Sequence, residues 1–109
     1  MRQFLRVMKA LSDPGRVKII KLLEQRELCV CELFGLLDLA QSTVSKHLKI
    51  LEEADLVTFR KKGQWIHYRL REVDGSLYAM AMLKQMDSWL NEEPAVTELV
   101  SELDLLEER

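Results

Sequence analysis

The spacing of apolar residues changes abruptly in the second half of the chain, and this change restricts the fold more than any other feature. Val44, Leu48 and Leu51 follow the period of an amphipathic helix. Residues 57–60 and 65–70 instead alternate between apolar and polar, and a short segment with a glycine at a turn position separates them. We therefore expect a helix followed directly by a β-hairpin.

The elements around this centre are predicted to be helical. A short helix that begins extended, a tight connection at residues 38–41 and a helix capped by Ser42 form the pattern of a helix-turn-helix. The predicted fold class is therefore mainly α with a β-hairpin wing, a winged helix-turn-helix. The predicted helices cover about 2–11, 14–25, a short stretch ending at 37, 42–54, a stretch after Ser76 and a last one from Pro94.

Chain length predicts one domain and a partner. A core built from 109 residues leaves much apolar surface uncovered, so we expect a homodimer. Residues 1–92 should form the DNA-binding domain with its dimerisation helices, and residues 93–109 an acidic helical tail. No apolar run reaches the length of a signal peptide or a membrane span, which favours a cytoplasmic protein with no membrane partner.

Charge is distributed unevenly along the chain. Residues 41–71 hold seven basic and three acidic residues, whereas residues 72–109 hold two basic and ten acidic ones. A basic centre on an acidic protein indicates a phosphate-binding surface, although ordinary solvated charge would give a similar count. Three basic residues cluster at the tip of the wing with no acid nearby, which suits contact with double-stranded DNA. The predicted DNA-contacting residues are Ser42, Thr43, Ser45, Lys46, His47, Lys49, Arg60, Lys61 and Lys62.

Cys29 and Cys31 form a Cys-x-Cys pair at the predicted start of the third helix. The pair has three interpretations: two ordinary buried thiols, a redox pair or a site for a soft metal. The start of a helix should favour the thiolate. Residues i and i+2 of a regular helix point about 200° apart, so we expect the sulfurs to converge only if the first turn unwinds.

Four segments resemble the arsenical-resistance repressors of the ArsR/SmtB family. They are ELCVCEL at 27–33, ALSDPGRVKIIKLL at 10–23, QSTVSKHLKILEEADLV at 41–57 and RKKGQWIHYRL at 60–70. The resemblance covers about residues 4–90 and implies a winged-helix dimer built from the first and fifth helices, with repression relieved by an inducer. The dimerisation residues it implies are Phe4, Leu5, Met8, Leu83 and Met86.

The resemblance also implies the inducer. Cys29 and Cys31 match the two thiolate ligands of the family's third helix, while Phe34 stands where many arsenic sensors have a third cysteine. The chain lacks the N-terminal cysteines of the cadmium and lead sensors. It also lacks the fifth-helix ligands of the zinc sensors, having only His47 and His67. As(III) or Sb(III) bound by thiolates is thus the expected inducer, and no cofactor is required.

Other functions stay open at this point. The same fold and cysteines could serve a redox or persulfide sensor, or a sensor of cadmium or lead. A winged helix that binds a protein partner instead of DNA is a further alternative. We expect no enzyme, because the sequence shows no nucleophile with its base, no phosphate loop and no paired catalytic acids.

Overall fold

The computed structural model describes residues 1–107, and in these residues helices and strands follow the predicted order. Residues 108 and 109 of the predicted acidic tail lie outside the described residues. The elements are α1 (Arg2–Ala10), α2 (Pro14–Leu23), β1 (Leu28–Cys29), α3 (Val30–Leu36), α4 (Gln41–Glu53), β2 (Val57–Lys62), β3 (Trp65–Leu70), α5 (Leu77–Met86) and α6 (Pro94–Glu107).

The predicted hairpin is part of a three-stranded antiparallel sheet with the order β1-β3-β2. β2 and β3 pair from Val57 with Leu70 to Lys62 with Trp65, and Gly63 turns the chain with a φ of 63°. β1 adds a third strand of only two residues, in which Cys29 pairs with His67. The cysteine segment is therefore hydrogen-bonded to the wing, which the expectation of a simple hairpin did not include.

Capping residues set where the helices begin. The carboxylate of Asp13 accepts hydrogen bonds of 2.8 and 3.2 Å from two backbone N–H groups in the first turn of α2. Ser76 caps α5 in the same way, at 3.1 Å. The prediction that Ser42 caps α4 was wrong: the helix begins at Gln41, and its N-cap Ala40 makes no side-chain bond.

The core lies between α2, α3, α4 and the sheet. The stripe predicted on α4 is buried as expected, with Val44, Leu48 and Leu51 at most 1% exposed. α6 packs against α2 and α3, and its Leu103 is fully buried. The acidic C-terminal segment is therefore attached to the domain by an apolar face.

Lys21 of α2 and its partner Glu24 are charged side chains that are almost fully buried, at 2% and 5% exposure. The Nζ of Lys21 donates hydrogen bonds of 2.7 Å to the carbonyls of Met86 and Trp89, at and just beyond the end of α5, and pairs with Glu24 at 2.6 Å. The Met86 carbonyl also accepts the N–H of Trp89 at 3.0 Å, so Lys21 adds a second bond to this carbonyl and a bond to the carbonyl of Trp89 beyond the helix end. Lys21 thereby fixes α5 to the core.

The helices of the described residues are short. The longest, α6, has 14 residues, whereas a span of the bilayer takes about 20 apolar ones. Within residues 1–107, no helix is long and apolar enough to cross a membrane.

Candidate thiol site and nucleic-acid interface

Cys29 and Cys31 lie on either side of the point where β1 becomes α3. Cys29 is the N-cap, with an extended backbone at φ −64° and ψ 146°, while Cys31 lies in the first helical turn. Cys29 is 5% exposed and Cys31 is exposed, and both thiols are free of disulfides. The backbone N–H of Cys31 donates to Sγ of Cys29 at 3.3 Å.

The backbone of Cys29 is extended and lies outside the helical turn that holds Cys31. The expectation that the two side chains point apart applies to two residues of a regular helix, and Cys29 is not one. Its sulfur turns back over the helix start, where it accepts the N–H of Cys31. A ligand that bridges the two sulfurs therefore meets a Cys29 thiol already placed over the first turn of α3.

The electrostatic surroundings keep Cys31 protonated. The hydrogen bond with the Cys29 thiol, followed by burial and by the charge that Cys29 would carry, raises the pKa of Cys31 above its ordinary value. The prediction that the helix start favours the thiolate was therefore wrong for Cys31, because its neighbouring thiol outweighs the helix terminus. At neutral pH, this site offers a neutral thiol.

Glu32 braces the backbone of the cysteine segment. Its Oε1 accepts a hydrogen bond of 2.9 Å from the N–H of Cys29, which completes a capping box, and its Oε2 accepts one of 3.0 Å from Arg26. Burial works to raise the pKa of Glu32, but these two bonds prevail and lower it. The ionised carboxylate of Glu32 thus fixes the backbone of Cys29 through the hydrogen bond to its N–H.

A groove of about 490 Å³ opens beside Cys31, between α3 and α6. Among residues 1–107, no group of three or more His, Cys, Asp or Glu side chains is arranged to hold a metal ion. The sulfurs of Cys29 and Cys31 are therefore the soft protein ligands at this site. A metal or metalloid atom bound to both would complete its coordination with ligands that do not come from the protein. The groove is lined by Cys31, Glu32, Gly35, Leu36, Glu102, Leu105 and Leu106.

The second helix of the helix-turn-helix, α4, presents a polar face to solvent. Ser42, Ser45, Lys46 and Lys49 are exposed, opposite the buried stripe. Hydroxyl and ammonium groups on one exposed helix face can donate to phosphates and to base edges in a major groove. Thr43 is half-buried on the flank of this face.

His47 is placed differently from the other predicted DNA-contacting residues. Its Nδ1 lies 3.1 Å from Nη1 of Arg16, and its Nε2 lies 3.6 Å from the carboxylate of Asp13. Its side chain is only 12% exposed. The ring thus joins α4 to the start of α2, and we assign it a structural role in holding the polar face of α4.

The wing carries Arg60, Lys61 and Lys62 as exposed residues, but an acid does lie nearby. The carboxylate of Glu27 accepts two hydrogen bonds of 2.8 Å from Arg60 and one of 3.0 Å from Lys62. These bonds lower the pKa of Glu27 to about 2. The expectation of a wing without acids was wrong because Glu27 is 33 residues from Arg60 in sequence and reaches it only through the sheet.

An apolar patch is exposed on α1 and α5. Phe4 and Tyr78 are in edge-to-face contact, with ring centroids 5.5 Å apart, and both are exposed. Leu5 and Leu77 are 53% and 77% exposed. Large exposed apolar side chains on adjacent helices indicate a protein interface. Of the other predicted dimerisation residues, Met8 is half-buried, while Leu83 and Met86 are buried in the core of the chain itself.

A comparison with known families places residues 13–58 in the profile described as bacterial regulatory protein, arsR family. The chain is 46% identical over 67 residues to the arsenical resistance operon repressor of Escherichia coli strain K12, a match that covers 61% of this chain and 57% of the relative. It is 42% identical over 80 residues to the arsenical resistance operon repressor of Bacillus subtilis strain 168, covering 71% and 76%.

Solved structures agree with this similarity. The homodimeric winged helix-turn-helix DNA-binding domain of a possible ArsR-family transcriptional regulator from Mycobacterium bovis superimposes with a TM-score of 0.67. It is 28% identical, and the match covers 78% of this chain and 75% of that one. The family profile spans α2 to α4, which carry both the thiol pair and the polar helix face.

Proposed function

The chain belongs to the ArsR family of bacterial regulatory proteins, and on that premise we propose that it is a homodimeric repressor that leaves its operator when arsenite or antimonite binds Cys29 and Cys31. The observation that carries the proposal is the Cys29 thiol held over the first turn of α3, two residues from the exposed thiol of Cys31. Because α3 is the first helix of the helix-turn-helix, a ligand there acts directly on the DNA-binding unit.

The DNA-binding surface in this proposal is the exposed face of α4 together with the wing. α4 enters the major groove, where Lys46, Lys49 and the serines donate to phosphates and bases. The basic residues of β2 lie on the flanking backbone or minor groove. His47 is not part of this contact surface; it supports the position of α4 through its contact with Arg16 on α2.

The dimer follows from the apolar patch formed by Phe4, Leu5, Leu77 and Tyr78. Two copies that join through these helices would present two α4 helices to successive major grooves of an inverted repeat. The homodimeric domain from Mycobacterium bovis supports this arrangement as a similar protein. Leu83 and Met86 contribute by keeping α5 in place, since both are buried.

The raised pKa of Cys31 favours a trivalent metalloid over a divalent cation. Arsenite, As(OH)₃, forms two S–As bonds with two thiols, and two As–OH groups leave as water with the thiol protons. A divalent cation must instead displace the Cys31 proton into solution, which the raised pKa opposes. The third substituent of the metalloid remains a hydroxyl or an exogenous thiol, since the chain has two cysteines.

Release follows from what the ligand displaces. The bridge replaces the hydrogen bond from the N–H of Cys31 to Sγ of Cys29, and this bond fixes the start of α3 in the ligand-free protein. A shifted α3 changes how α4 is presented, so DNA and inducer each weaken binding of the other by the same factor.

A redox sensor is the second candidate, favoured by the two free thiols two residues apart and by the exposure of Cys31. Oxidation would join the sulfurs in a disulfide between residues i and i+2, which closes a small ring with strained geometry. We therefore rank it below metalloid binding.

The test is a titration of the reduced protein bound to DNA from upstream of its own gene. Arsenite, antimonite, cadmium, zinc and peroxide are added in parallel, and the fraction of bound DNA is measured by fluorescence anisotropy. Release by arsenite and antimonite at the lowest concentrations supports the proposal. Release by peroxide alone would support the redox sensor, and a failure to bind any such DNA would contradict both.

A further inference from the structure

Glu27 connects the cysteine segment to the basic residues of the wing. It directly precedes β1, and its side chain crosses the sheet to Arg60 and Lys62 on β2. The contact with Arg60 is bidentate, with two bonds of 2.8 Å, which is the strongest geometry for a guanidinium and a carboxylate. The Glu27 side chain is 19% exposed, whereas its partners Arg60 and Lys62 are 56% and 49% exposed, so the contact lies at the surface and its geometry matters more than its burial.

The alternation of side chains along β2 explains why Glu27 contacts Arg60 and Lys62. Arg60 and Lys62 are two positions apart on β2, so their side chains project from the same face of the sheet. Lys61 lies between them and projects from the opposite face. Glu27 thus engages two of the three basic residues of β2 and leaves Lys61 as an internal comparison.

The cysteine segment, residues 28–31, is hydrogen-bonded to the wing at one end and within α3 at the other. Leu28 and Cys29 pair with Tyr68 and His67 on β3, and the N–H of Cys29 donates to Glu32. No flexible loop separates Glu27 from Cys29, because a single residue lies between them. A displacement of the Cys29 backbone is therefore passed to the Glu27 carboxylate over about 7 Å of extended chain.

We infer that Glu27 is the positioning residue through which the thiol pair acts on the wing. It holds Arg60 and Lys62 in the orientation that contacts DNA, and inducer binding at Cys29 shifts it and releases them. The inference rests on the proposed function but adds a route to it: the wing responds to the inducer through one carboxylate, separately from any movement of α4.

The test compares a release ratio, defined as the Kd for DNA with saturating arsenite divided by the Kd without it. Glu27→Gln keeps the size of the side chain but removes the charge that holds Arg60. We expect the release ratio to fall by at least about fivefold, a typical allosteric coupling, while the arsenite affinity of the free protein is retained. Lys61→Gln should weaken DNA binding and leave the ratio unchanged, and Glu98→Gln on α6 controls for the removal of a negative charge.

A double-mutant cycle tests the route from its other end. The Arg60→Gln/Lys62→Gln variant should show the same reduced ratio, and adding Glu27→Gln to it should lower the ratio no further. An unchanged ratio in Glu27→Gln, with the wild type responding normally, would overturn the inference alone. Loss of arsenite affinity in Glu27→Gln would also overturn it, by making Glu27 part of the thiol site. A wild type that does not respond would instead refute the proposed function.

Discussion

The imidazole of His47 on α4 lies directly against Gly15 at the start of α2. A β-carbon built on Gly15 would lie 2.9 Å from Nε2 of His47 and 3.1 Å from Oδ1 of Asp13, both closer than ordinary contacts. The absence of a side chain at Gly15 therefore allows the helix with the exposed lysines to approach the N-terminus of α2.

We predict that Gly15→Ala destabilises the protein by about 1–3 kcal/mol, because the added methyl group overpacks a filled site. Operator affinity should fall as well, since the shift moves α4. Gly35→Ala is the matched control: nothing lies within 4 Å of a β-carbon there, and alanine in a helix should be neutral or stabilising by about 0.5–1 kcal/mol. Urea unfolding of both variants measures the difference, and equal midpoints would contradict the prediction.

Local patterns predicted most of the fold. The stripe of Val44, Leu48 and Leu51 and the alternation after residue 57 placed α4 and the hairpin, because each signal arises within one element. The cap at Asp13 was predictable for the same reason. These features depend on residues a few positions apart.

The remaining features depend on interactions between distant segments. β1 has two residues, too few for an alternating pattern, and so the sequence predicted an extended start before the third helix but no strand paired with the wing. The bond of Glu27 to Arg60 spans 33 positions and has no local signature. Likewise, the spacing of Leu83 and Met86 marks a helix face but cannot tell a core from an interface; the structure buries both and exposes Leu77 and Tyr78.

Lys46 and Lys49 should each contribute to DNA affinity by neutralising a phosphate. Replacing either with glutamine should weaken binding and reduce the slope of log Kd against log salt by about 0.9 for each phosphate that is no longer neutralised. Lys84→Gln, an exposed lysine on α5, serves as the control and should change neither quantity. The measurement is anisotropy between low and moderate salt. A slope that stays the same in both α4 variants would place that face away from DNA.

The bond network of Glu27 should appear in the acid stability of the protein. Its pKa is lowered to about 2 in the folded state, against about 4.3 in an unfolded chain. The ion pair therefore stabilises the fold above about pH 5, and this contribution is lost as the pH falls from about 5 to 2. Urea midpoints of the wild type and Glu27→Gln should differ near neutral pH and converge in acid. A difference that is constant across this range would contradict the pKa assignment.

Cys31 should react slowly with alkylating agents at neutral pH, because its pKa is raised and only the thiolate reacts. The rate with iodoacetamide, followed by mass spectrometry of the Cys31 peptide, should still be rising above about pH 8.5, where an ordinary thiol is half ionised. Cys29→Ala removes the main cause of the shift and should move the profile to lower pH. Half-maximal reactivity below the ordinary value in the wild type would refute the assignment.

Operator release by arsenite in the cysteine variants tests the central claim most directly. Serine at position 29 still accepts the N-cap hydrogen bond, and serine at position 31 changes an exposed residue, so both folds should be retained. The measurement is the Kd for operator DNA with and without arsenite for the wild type, Cys29→Ser, Cys31→Ser and the double variant. We expect all four to bind DNA and only the wild type to release it. Release by the double variant at the wild-type arsenite concentration would contradict the account.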